Sequence, residues 1–350
     1  MAEYNHRLRY CDYAVPYTPS FPFWMTKIYL VFHDFPCEIY HGVILFTFEK
    51  SEFFCDFSNK MVYFTFMEKI DLSQWTMFSN RHNSENYNSP DGKWMLKLGF
   101  PGFCSTKEEL IREQDICRKV VSLGIPTPHV GDIVEQDGRL GLIYERIVGK
   151  RSISKCVGEN PEHLEEYIKV FAEHCKKLHS TSCIPGTFQD AEEKYSRLIE
   201  ESKMFPENVK EFARNLIKET PKVSRCVHGD MQTGNLIVND NGAYFIDLGE
   251  FACGNPLFDL GCYFYFCHYL PDDYLLAAHY MNAAMMHKCW DVFAKYYFGA
   301  DTPEKLAAVD ARVKPYVLFP ILDFEHLMAE DANLKYLEMN FQVARKDLGL

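Results

Sequence analysis

The chain has 350 residues, of which 47% are hydrophobic and 25% charged, a globular composition that excludes a disordered or fibrous protein. Its formal net charge of −12 argues against a nucleic-acid-binding protein, and no apolar run approaches the roughly 20 residues of a membrane helix. The 13 cysteines include no C-x-x-C pair. They favour reduced thiols in the cytoplasm over a disulfide framework or a zinc ribbon.

Residues 1–66 differ in composition from the rest of the chain. They hold 19 of the 53 aromatic residues and four prolines, without a steady strand or helix period. We expect an irregular or weakly β extension. It either packs on the main domain or is a poorly ordered segment that does not belong to the natural protein, in which case Met67 is the true start.

Regular patterns begin after Met67. The first helix, Thr106–Leu123, has Ser105 or Thr106 as its N-cap, with Glu108 and Glu109 three residues on, and it stops at Gly124. The other elements predicted in this part are two strands, Trp94–Leu98 and Leu140–Ile147, and a helix whose apolar residues recur from Leu164 to Leu178.

Three short β runs follow, at Val223–Val227, Leu236–Val238 and Ala243–Ile246, and the last two are joined by a hairpin turn. Beyond Phe264 the pattern is mostly helical. The order predicts an α+β protein with a small β-rich part, residues 67–148, followed by a larger and mainly helical part, residues 149–350.

Three polar residues lie where these β runs end. Asp230 and Asn235 are five residues apart on one loop, and Asp247 follows twelve residues later at a strand end. Phosphoryl transfer needs such a set, because one carboxylate orients the substrate hydroxyl while a second carboxylate and an amide oxygen hold Mg²⁺ against the nucleotide phosphates. The pattern therefore predicts a phosphoryl-transfer site.

The loop His228–Asn235 and the run Ile246–Gly249 resemble the aminoglycoside phosphotransferase and choline kinase group. Residues 254–260 match the group's G-x-P-x-x-D-L pattern. The resemblance spans roughly residues 70–266, and the segments around Lys97 and residues 124–146 are most similar to a bacterial branch of aminoglycoside phosphotransferases.

This resemblance implies a two-lobed protein-kinase-like fold that uses ATP, or GTP as the alternative, with Mg²⁺. Carried over by position, Asp230 is the catalytic base, and Asn235 and Asp247 are the magnesium ligands. Asp259 would support the catalytic loop. His228 either supports it too or is a structural imidazole with satisfied hydrogen bonds.

Lys97 is expected to bind the nucleotide phosphates. It lies on the strand face opposite Leu96 and Leu98, while Glu113 falls on the apolar stripe of the following helix, where an unpaired carboxylate costs several kcal/mol. A Lys97–Glu113 ion pair, which the family has in this order, would satisfy both groups. The alternatives are two unrelated surface charges, or Glu109 as the partner.

Two further segments are implied by their order in the fold. The stretch after the second strand would be the hinge between lobes, and the Glu145 carbonyl and the Ile147 amide would bind adenine. The polar run of residues 79–86, which includes Ser84, would cover the phosphates without a glycine. The alternative for that run is a plain hairpin turn.

The sequence thus predicts an enzyme that transfers the γ-phosphate of ATP to a hydroxyl of a small molecule, aminoglycoside-like or choline-like. The alternatives are a catalytically silent nucleotide-binding or scaffold protein and, least favoured, a protein kinase. Five acidic residues either line a pocket for a cationic acceptor or form a solvated face, and His179 is expected to be a helix-end cation. The acidic residues are Asp272, Asp273, Glu325, Glu330 and Asp331.

Overall fold

The computed structural model describes two compact units, residues 1–65 and 66–350. In the first unit it describes four strands by their backbone, and in the second it describes residues 68–80, 84–100, 106–327 and 334–350. No helix in these ranges is both long and apolar enough to cross a membrane.

The four strands of the first unit form two separate antiparallel pairs. Strand β1 (Tyr10–Cys11) pairs with β2 (Leu30–Val31), and β3 (Val43–Phe48) pairs with β4 (Ser51–Asp56). Apart from these strands, residues 1–66 lie outside the described residues, and their expected poor order stays a prediction. The boundary at Met67 stays a prediction.

The second unit begins with a six-stranded sheet in the order β5-β9-β10-β8-β7-β6, antiparallel except between β5 and β9. Leu96 and Leu98 are fully buried on one face, as their alternation with Lys97 predicts. The strands of the sheet are β5 (Glu68–Lys69), β6 (Thr76–Ser79), β7 (Ser84–Asn88), β8 (Trp94–Gly99), β9 (Val130–Gln136) and β10 (Arg139–Glu145).

Helix α1 (Lys107–Ser122) packs on this sheet through Leu110, which contacts Ile133 and Leu142. Thr106 is its N-cap and forms a capping box with Glu109, so the predicted start of the helix is confirmed. The other cap candidate, Ser105, lies outside the described residues. Gly124 follows the helix with a φ of +71°, a conformation that suits glycine.

The remaining chain is mainly helical around one large core. Helix α3 (Leu164–Ser180) packs against α6 (Leu257–His268) and α8 (Ala283–Phe298), and the ring of Phe171 lies 5.0 Å from that of Tyr263. The other helices are α2 (Ile153–Glu159), α4 (Ala191–Glu201), α5 (Glu207–Glu219), α7 (Asp272–His279), α9 (Pro303–Val313), α10 (Leu318–Leu327) and α11 (Leu334–Asp347).

Short strands between these helices carry the polar loops. The first of the predicted β runs is only Arg225–Val227, because residues 223 and 224 lie outside the ladder, and the hairpin at residues 239–242 is confirmed. The strands are β11 (Arg151–Ser152), β12 (Gln189–Asp190), β13 (Arg225–Val227), β14 (Leu236–Asn239), β15 (Gly242–Phe245) and β16 (Ala252–Gly254).

The prediction that all thiols are reduced is wrong for one pair. Cys183 and Cys253 form a disulfide across 70 residues of sequence, because β16 pairs with β12 and β13 next to the end of α3. In the described residues seven other cysteines are free and buried. Spacing alone does not reveal a bridge between such distant positions.

Candidate active site

The loop that carries Asp230 starts where β13 ends. Gly229 has a φ of +82°, and a Cβ atom at this position would collide with the carbonyl oxygen of Glu250. Both facts restrict the position to glycine. A short 3₁₀ turn, Thr233–Asn235, then leads into β14 and brings the Asn235 side chain back over the loop.

Two side-chain amides hold the carboxylate of Asp230. Asn235 Nδ2 donates to Asp230 Oδ2 at 2.7 Å and to its carbonyl oxygen at 2.9 Å, and Gln232 Nε2 donates to the same carboxylate at 3.1 Å. Burial raises the pKa of Asp230, and the nearby carboxylate of Asp247 raises it further. A raised pKa makes the carboxylate a better proton acceptor near neutral pH.

Asp259, from the first turn of α6, fixes the start of this loop. Its carboxylate accepts hydrogen bonds from the backbone N–H groups of His228 at 2.6 Å and Gly229 at 2.8 Å. Burial alone would raise the pKa of Asp259, but the hydrogen bond from His179 and the charge of that ring hold it below its ordinary value. Asp259 therefore holds the first residues of the loop in place, and its support of a catalytic loop stays a prediction.

His179 lies in the last turn of α3, as the sequence predicts, but its side chain is buried against Asp259. Its side chain is 2% exposed, Nε2 lies 2.9 Å from Asp259 Oδ2, and Nδ1 lies 2.7 Å from the Tyr297 hydroxyl. The partners are 80 and 118 residues away in sequence, so only the packing of α3 on α6 and α8 reveals the contact. The sequence did not predict this contact of His179 with Asp259.

His228 joins the two loops of the site. The backbone N–H of Asp230 donates to its Nδ1 at 3.3 Å, which leaves the hydrogen on Nε2 to be donated to the Ile246 carbonyl at 3.0 Å. The ring is buried at 1% exposure and both nitrogens are satisfied. The structural alternative for His228 fits this geometry.

Asp247 lies two residues after the end of β15 in the left-handed conformation, with φ 60° and ψ 57°. The Ile246 N–H donates to the Asn235 carbonyl at 3.0 Å, so the two predicted metal ligands come from adjacent backbone segments. Asn235 uses its Nδ2 atom on Asp230, and its Oδ1 atom accepts no hydrogen bond from the residues described.

One amide oxygen and one carboxylate are hard donors that suit Mg²⁺. The described residues contain no group of three or more His, Cys, Asp or Glu side chains able to hold a metal ion. Two protein ligands are nevertheless what a magnesium ion shared with nucleotide phosphates requires, because phosphate and water oxygens complete its coordination. The residues present therefore fit such an ion.

The structure contradicts the expected Lys97–Glu113 ion pair. Lys97 Nζ lies 3.1 Å from Asp247 Oδ1, and Asp247 is the main cause of the raised pKa of Lys97. Glu113 instead accepts a hydrogen bond from the Tyr144 hydroxyl. The neutral hydroxyl satisfies the buried side of Glu113, and the lysine is drawn to the carboxylate across the cavity.

A cavity of about 660 Å³ lies under the sheet and gathers five of the predicted residues. Its lining includes Ser84, Lys97, Glu113, Glu145 and Asp247. Asp230, Asn235 and Ile147 are not part of this lining. The volume falls within the range of cofactor and small-molecule sites, and the wall combines apolar side chains with these few polar groups.

The hinge segment keeps one donor unused. The backbone N–H of Glu145 donates to the His129 carbonyl oxygen. In return, the backbone N–H of His129 donates to the side-chain carboxylate of Glu145 at 3.1 Å, not to its backbone carbonyl oxygen. The N–H of Ile147 forms no hydrogen bond within the described part of the chain. The strand ends at Glu145 rather than Ile147, because the chain leaves the sheet there.

The polar run expected to cover phosphates forms the hairpin between β6 and β7. Ser84 is buried at the start of β7, where it lines the cavity. Residues 81–83, the tip of the predicted loop, lie outside the described residues. The hairpin agrees with both alternatives left by the sequence.

A second polar cluster lies behind the Asp247 loop and escaped the sequence analysis. Lys194 Nζ contacts Glu250 Oε2 at 2.8 Å and Asp323 Oδ1 at 2.7 Å, and the Tyr195 hydroxyl donates to the other oxygen of Asp323. Burial raises the pKa of Asp323 to about 6, while Lys194 holds the pKa of Glu250 below its ordinary value despite burial. These contacts tie the segment that follows Asp247 to α4 and α10.

The described acidic residues among those expected to line an acceptor pocket accept hydrogen bonds from backbone N–H groups. Glu325 accepts from the Ser202 hydroxyl and from the N–H groups of Lys203 and Met204, and Asp272 accepts from the Ala283 N–H. Asp273 is exposed in the first turn of α7, where its carboxylate accepts from the Tyr274 N–H at 2.9 Å. Glu330 and Asp331 lie outside the described residues.

Comparisons with known proteins agree with this geometry. A sequence model described as the phosphotransferase enzyme family matches residues 79–291, and no curated protein matches the chain. Among solved structures, a thermostable mutant of aminoglycoside phosphotransferase APH(4)-Ia in complex with ADP and hygromycin B has a TM-score of 0.55 at 16% identity. The matched region covers 78% of this chain and 94% of the chain of that structure.

Two further solved structures show the same likeness. An ethanolamine kinase of Plasmodium vivax has a TM-score of 0.52 at 13% identity, covering 79% of this chain and 83% of its own. A choline/ethanolamine kinase family protein of Mesorhizobium loti has a TM-score of 0.50 at 14% identity, covering 78% and 87%. At these identities the likeness shows the two-lobed protein-kinase-like fold.

Proposed function

Since this chain belongs to the phosphotransferase enzyme family, we propose that it transfers the γ-phosphate of ATP to a hydroxyl group of a small molecule. The observation that carries the proposal is the hydrogen-bonded pair of Asp230 and Asn235 with Asp247 on the adjoining segment. This pair provides a carboxylate held for an incoming hydroxyl and oxygen donors for a phosphate-bound cation.

The proposed reaction follows from the positions of these groups. The acceptor hydroxyl donates a hydrogen bond to Asp230, which aligns its oxygen with the γ-phosphorus and takes up its proton as the new phosphorus–oxygen bond forms. The bond from the γ-phosphorus to the bridging oxygen of ATP breaks in the same step, and ADP leaves. Asn235 and Gln232 keep the carboxylate from rotating away. Mg²⁺ held by Asn235 and Asp247 would offset the charge of the phosphates, and Lys97 would neutralise the rest.

Lys97 can serve in this way because its contact with Asp247 is open to solvent. Its side chain is 41% exposed and that of Asp247 is 57% exposed. An exposed ion pair contributes at most about 1 kcal/mol to stability. A nucleotide phosphate therefore competes for the ammonium group at little cost.

A thermal-shift titration with ATP and MgCl₂ tests the nucleotide part of the proposal. Ligand that binds only the folded protein raises the melting temperature, and we expect a rise that depends on magnesium. Asp247→Ala should remove the magnesium-dependent part of that rise. Asp301→Ala, which changes an exposed aspartate paired with Lys305, is the matched control.

A screen for acceptor-dependent ATP consumption tests the transfer itself. Aminoglycosides, choline-like amines, sugars and homoserine-like alcohols cover the chemistry proposed for the acceptor, and GTP should be run beside ATP. Nucleotide binding without turnover on any acceptor would favour the silent-scaffold alternative. No magnesium-dependent binding at millimolar ATP would contradict the proposal as a whole.

We further propose that the functional unit starts near Met67. The second unit of the structure holds both the sheet and the helical core, which is enough chain for an independent fold. A chain that begins at Met67 should remain in solution and melt within a few degrees of the full chain. Aggregation of the shortened chain would contradict this boundary, because it would reveal apolar surface that residues 1–66 cover.

A further inference from the structure

Tyr280, between α7 and α8, has a backbone conformation that is unusual for its residue type. Its φ of 61° and ψ of 16° are left-handed, and the other non-glycine residues with positive φ in the described ranges are Asp137 and Asp247. Asp137 lies in a hairpin turn and Asp247 in the candidate site. A bulky aromatic residue rarely adopts this conformation unless its surroundings impose it.

The surroundings of Tyr280 do impose it. Gly158 of α2 lies against the tyrosine backbone, and a Cβ atom at that position would collide with the carbonyl and Cβ of Tyr280. On the other side Asn282 caps α8 through the N–H of Met285 at 2.9 Å. The Asp272 carboxylate also accepts from the N–H of Ala283 at 2.6 Å. The turn is therefore clamped from both sides.

A buried polar chain connects this turn to the catalytic loop. His279 Nδ1 lies 3.3 Å from Ser154 Oγ, which lies 2.8 Å from Thr233 Oγ1, and none of the three residues is more than 2% exposed. Thr233 lies between Asp230 and Asn235 in sequence. The position of Tyr280 is thus set relative to the residues of the proposed phosphoryl transfer.

The side chain of Tyr280 remains accessible in the cavity. The residue is 42% exposed and lines the same space as Lys97, Asp247 and Lys150. Lys97, together with a cation held by Asp247, would already supply the positive charge that phosphates need. A phenol ring offers a flat apolar face and one hydroxyl, which suit a nucleoside better than a phosphate chain.

We propose that Tyr280 is a nucleotide-binding residue that packs its ring against the nucleoside part of the bound nucleotide. The proposal rests on the proposed function, because it requires a nucleotide in this cavity. The sheet forms most of the wall of this cavity. Under this proposal the turn between α7 and α8 adds a nucleotide contact from the helical region.

Calorimetric titration of the full chain with ADP, and separately with inorganic tripolyphosphate, both with MgCl₂, tests the assignment. Tyr280→Ala should weaken ADP binding about tenfold and leave tripolyphosphate binding within twofold. Tyr280→Phe should stay within twofold for both ligands, because the ring remains. Tyr336→Ala, at an exposed tyrosine of α11, is the matched control.

The outcomes separate the two proposals. ADP binding by Tyr280→Ala that equals wild type would overturn this assignment alone, as would an equal loss for ADP and tripolyphosphate, which points to a general distortion of the site. Melting temperatures without ligand check that each variant is folded. Absence of ADP binding to the wild-type chain would instead overturn the proposed function together with this inference.

Discussion

The loop that carries Asp230 and the part of the site that carries Lys97 are held by contacts of very different burial. His179 and Asp259, which support the loop, have side chains 2% and 1% exposed, whereas Lys97 and Asp247 are 41% and 57% exposed. Buried charges with several hydrogen bonds are costly to disturb, and exposed pairs exchange partners easily. The loop beneath the proposed base Asp230 is therefore held rigidly. The Lys97–Asp247 pair, where phosphates would enter and leave, can exchange partners.

The largest effect should come from the rigid side, at Asp230. Asp230→Asn removes the proton acceptor but keeps the size of the side chain, so turnover with any acceptor should fall about 1,000-fold. ADP affinity should stay within twofold, because the nucleotide contacts are unchanged. Steady-state rates and calorimetry measure the two quantities, and a variant with near-normal turnover would contradict the assigned role.

Loss of the buried support should appear as lost stability. Asp259→Ala leaves His179 and two backbone N–H groups without their acceptor, and the free energy of unfolding should fall by about 3–5 kcal/mol. Urea unfolding measures it. Glu207→Ala, which removes an exposed carboxylate paired with Arg214, should change it by less than about 1 kcal/mol. An equal loss of unfolding free energy in both variants would contradict the proposed difference between buried and exposed pairs.

Two buried aspartates should respond to pH in opposite directions. The pKa of Asp259 is lowered in the folded protein, so its contribution to stability is present above its ordinary pKa of 3.8 and is lost as the pH falls below that value. The pKa of Asp323 is raised to about 6, so its protonated form favours folding below about pH 4 and that contribution is lost as the pH rises to 6.

Melting curves between pH 3 and pH 8 check these slopes. Asp323→Asn should flatten the decline between about pH 4 and pH 6, which amounts to at most roughly 3 kcal/mol at 1.36 kcal/mol per pKa unit. The decline below about pH 4 should persist in this variant, because Asp259 is intact. A wild-type profile without any slope between pH 4 and pH 6 would contradict the raised pKa of Asp323.

On the adaptable side, Lys97→Met should affect binding more than folding. The apolar stem is kept and the exposed pair with Asp247 is lost, so the free energy of unfolding should change by less than about 1 kcal/mol. Affinity for ADP with Mg²⁺ should fall about tenfold, because a charge-assisted contact to phosphate is lost. A stability loss as large as that of Asp259→Ala would show that the pair is structural.

The smallest effect should come from Tyr144→Phe. This change removes the hydroxyl that donates to Glu113 and frees the carboxylate for Lys97, the pairing that the sequence predicts. ADP affinity should stay within about twofold, because the lysine can alternate between two carboxylates that both line the cavity. Calorimetry with ADP checks this. A large loss of ADP affinity would show that nucleotide binding requires Glu113 to stay bonded to Tyr144.

Contacts between near neighbours in sequence were predictable, and contacts between distant ones were not. The capping box at Thr106 and Glu109 spans three residues, and the Asp230–Asn235 bond spans five, so local geometry nearly determines them. Lys97 pairs with Asp247, 150 residues away, although Glu113 is far nearer in sequence. The choice between two carboxylates depends on packing between the sheet and the helical part, which no local pattern contains.

The same reason explains why the sequence did not predict the contacts that support the loop carrying Asp230. His179 ends a helix and looks like a solvated cation until α6 brings Asp259 against it. The disulfide between Cys183 and Cys253 likewise depends on the pairing of β16, not on spacing. The fold class and the three polar residues of the proposed chemistry follow from short motifs, and the buried network that positions them does not.

Gly229 allows a forecast about mutational tolerance. Its left-handed backbone and its contact with the Glu250 carbonyl both forbid a side chain, independently of any reaction. In a library selected only for soluble expression, Asp230 should therefore tolerate asparagine, serine or alanine, while position 229 should return glycine alone. If natural variants never change Gly229, the reason would be the packing of two loops. If they never change Asp230, the reason would be the proposed phosphoryl transfer.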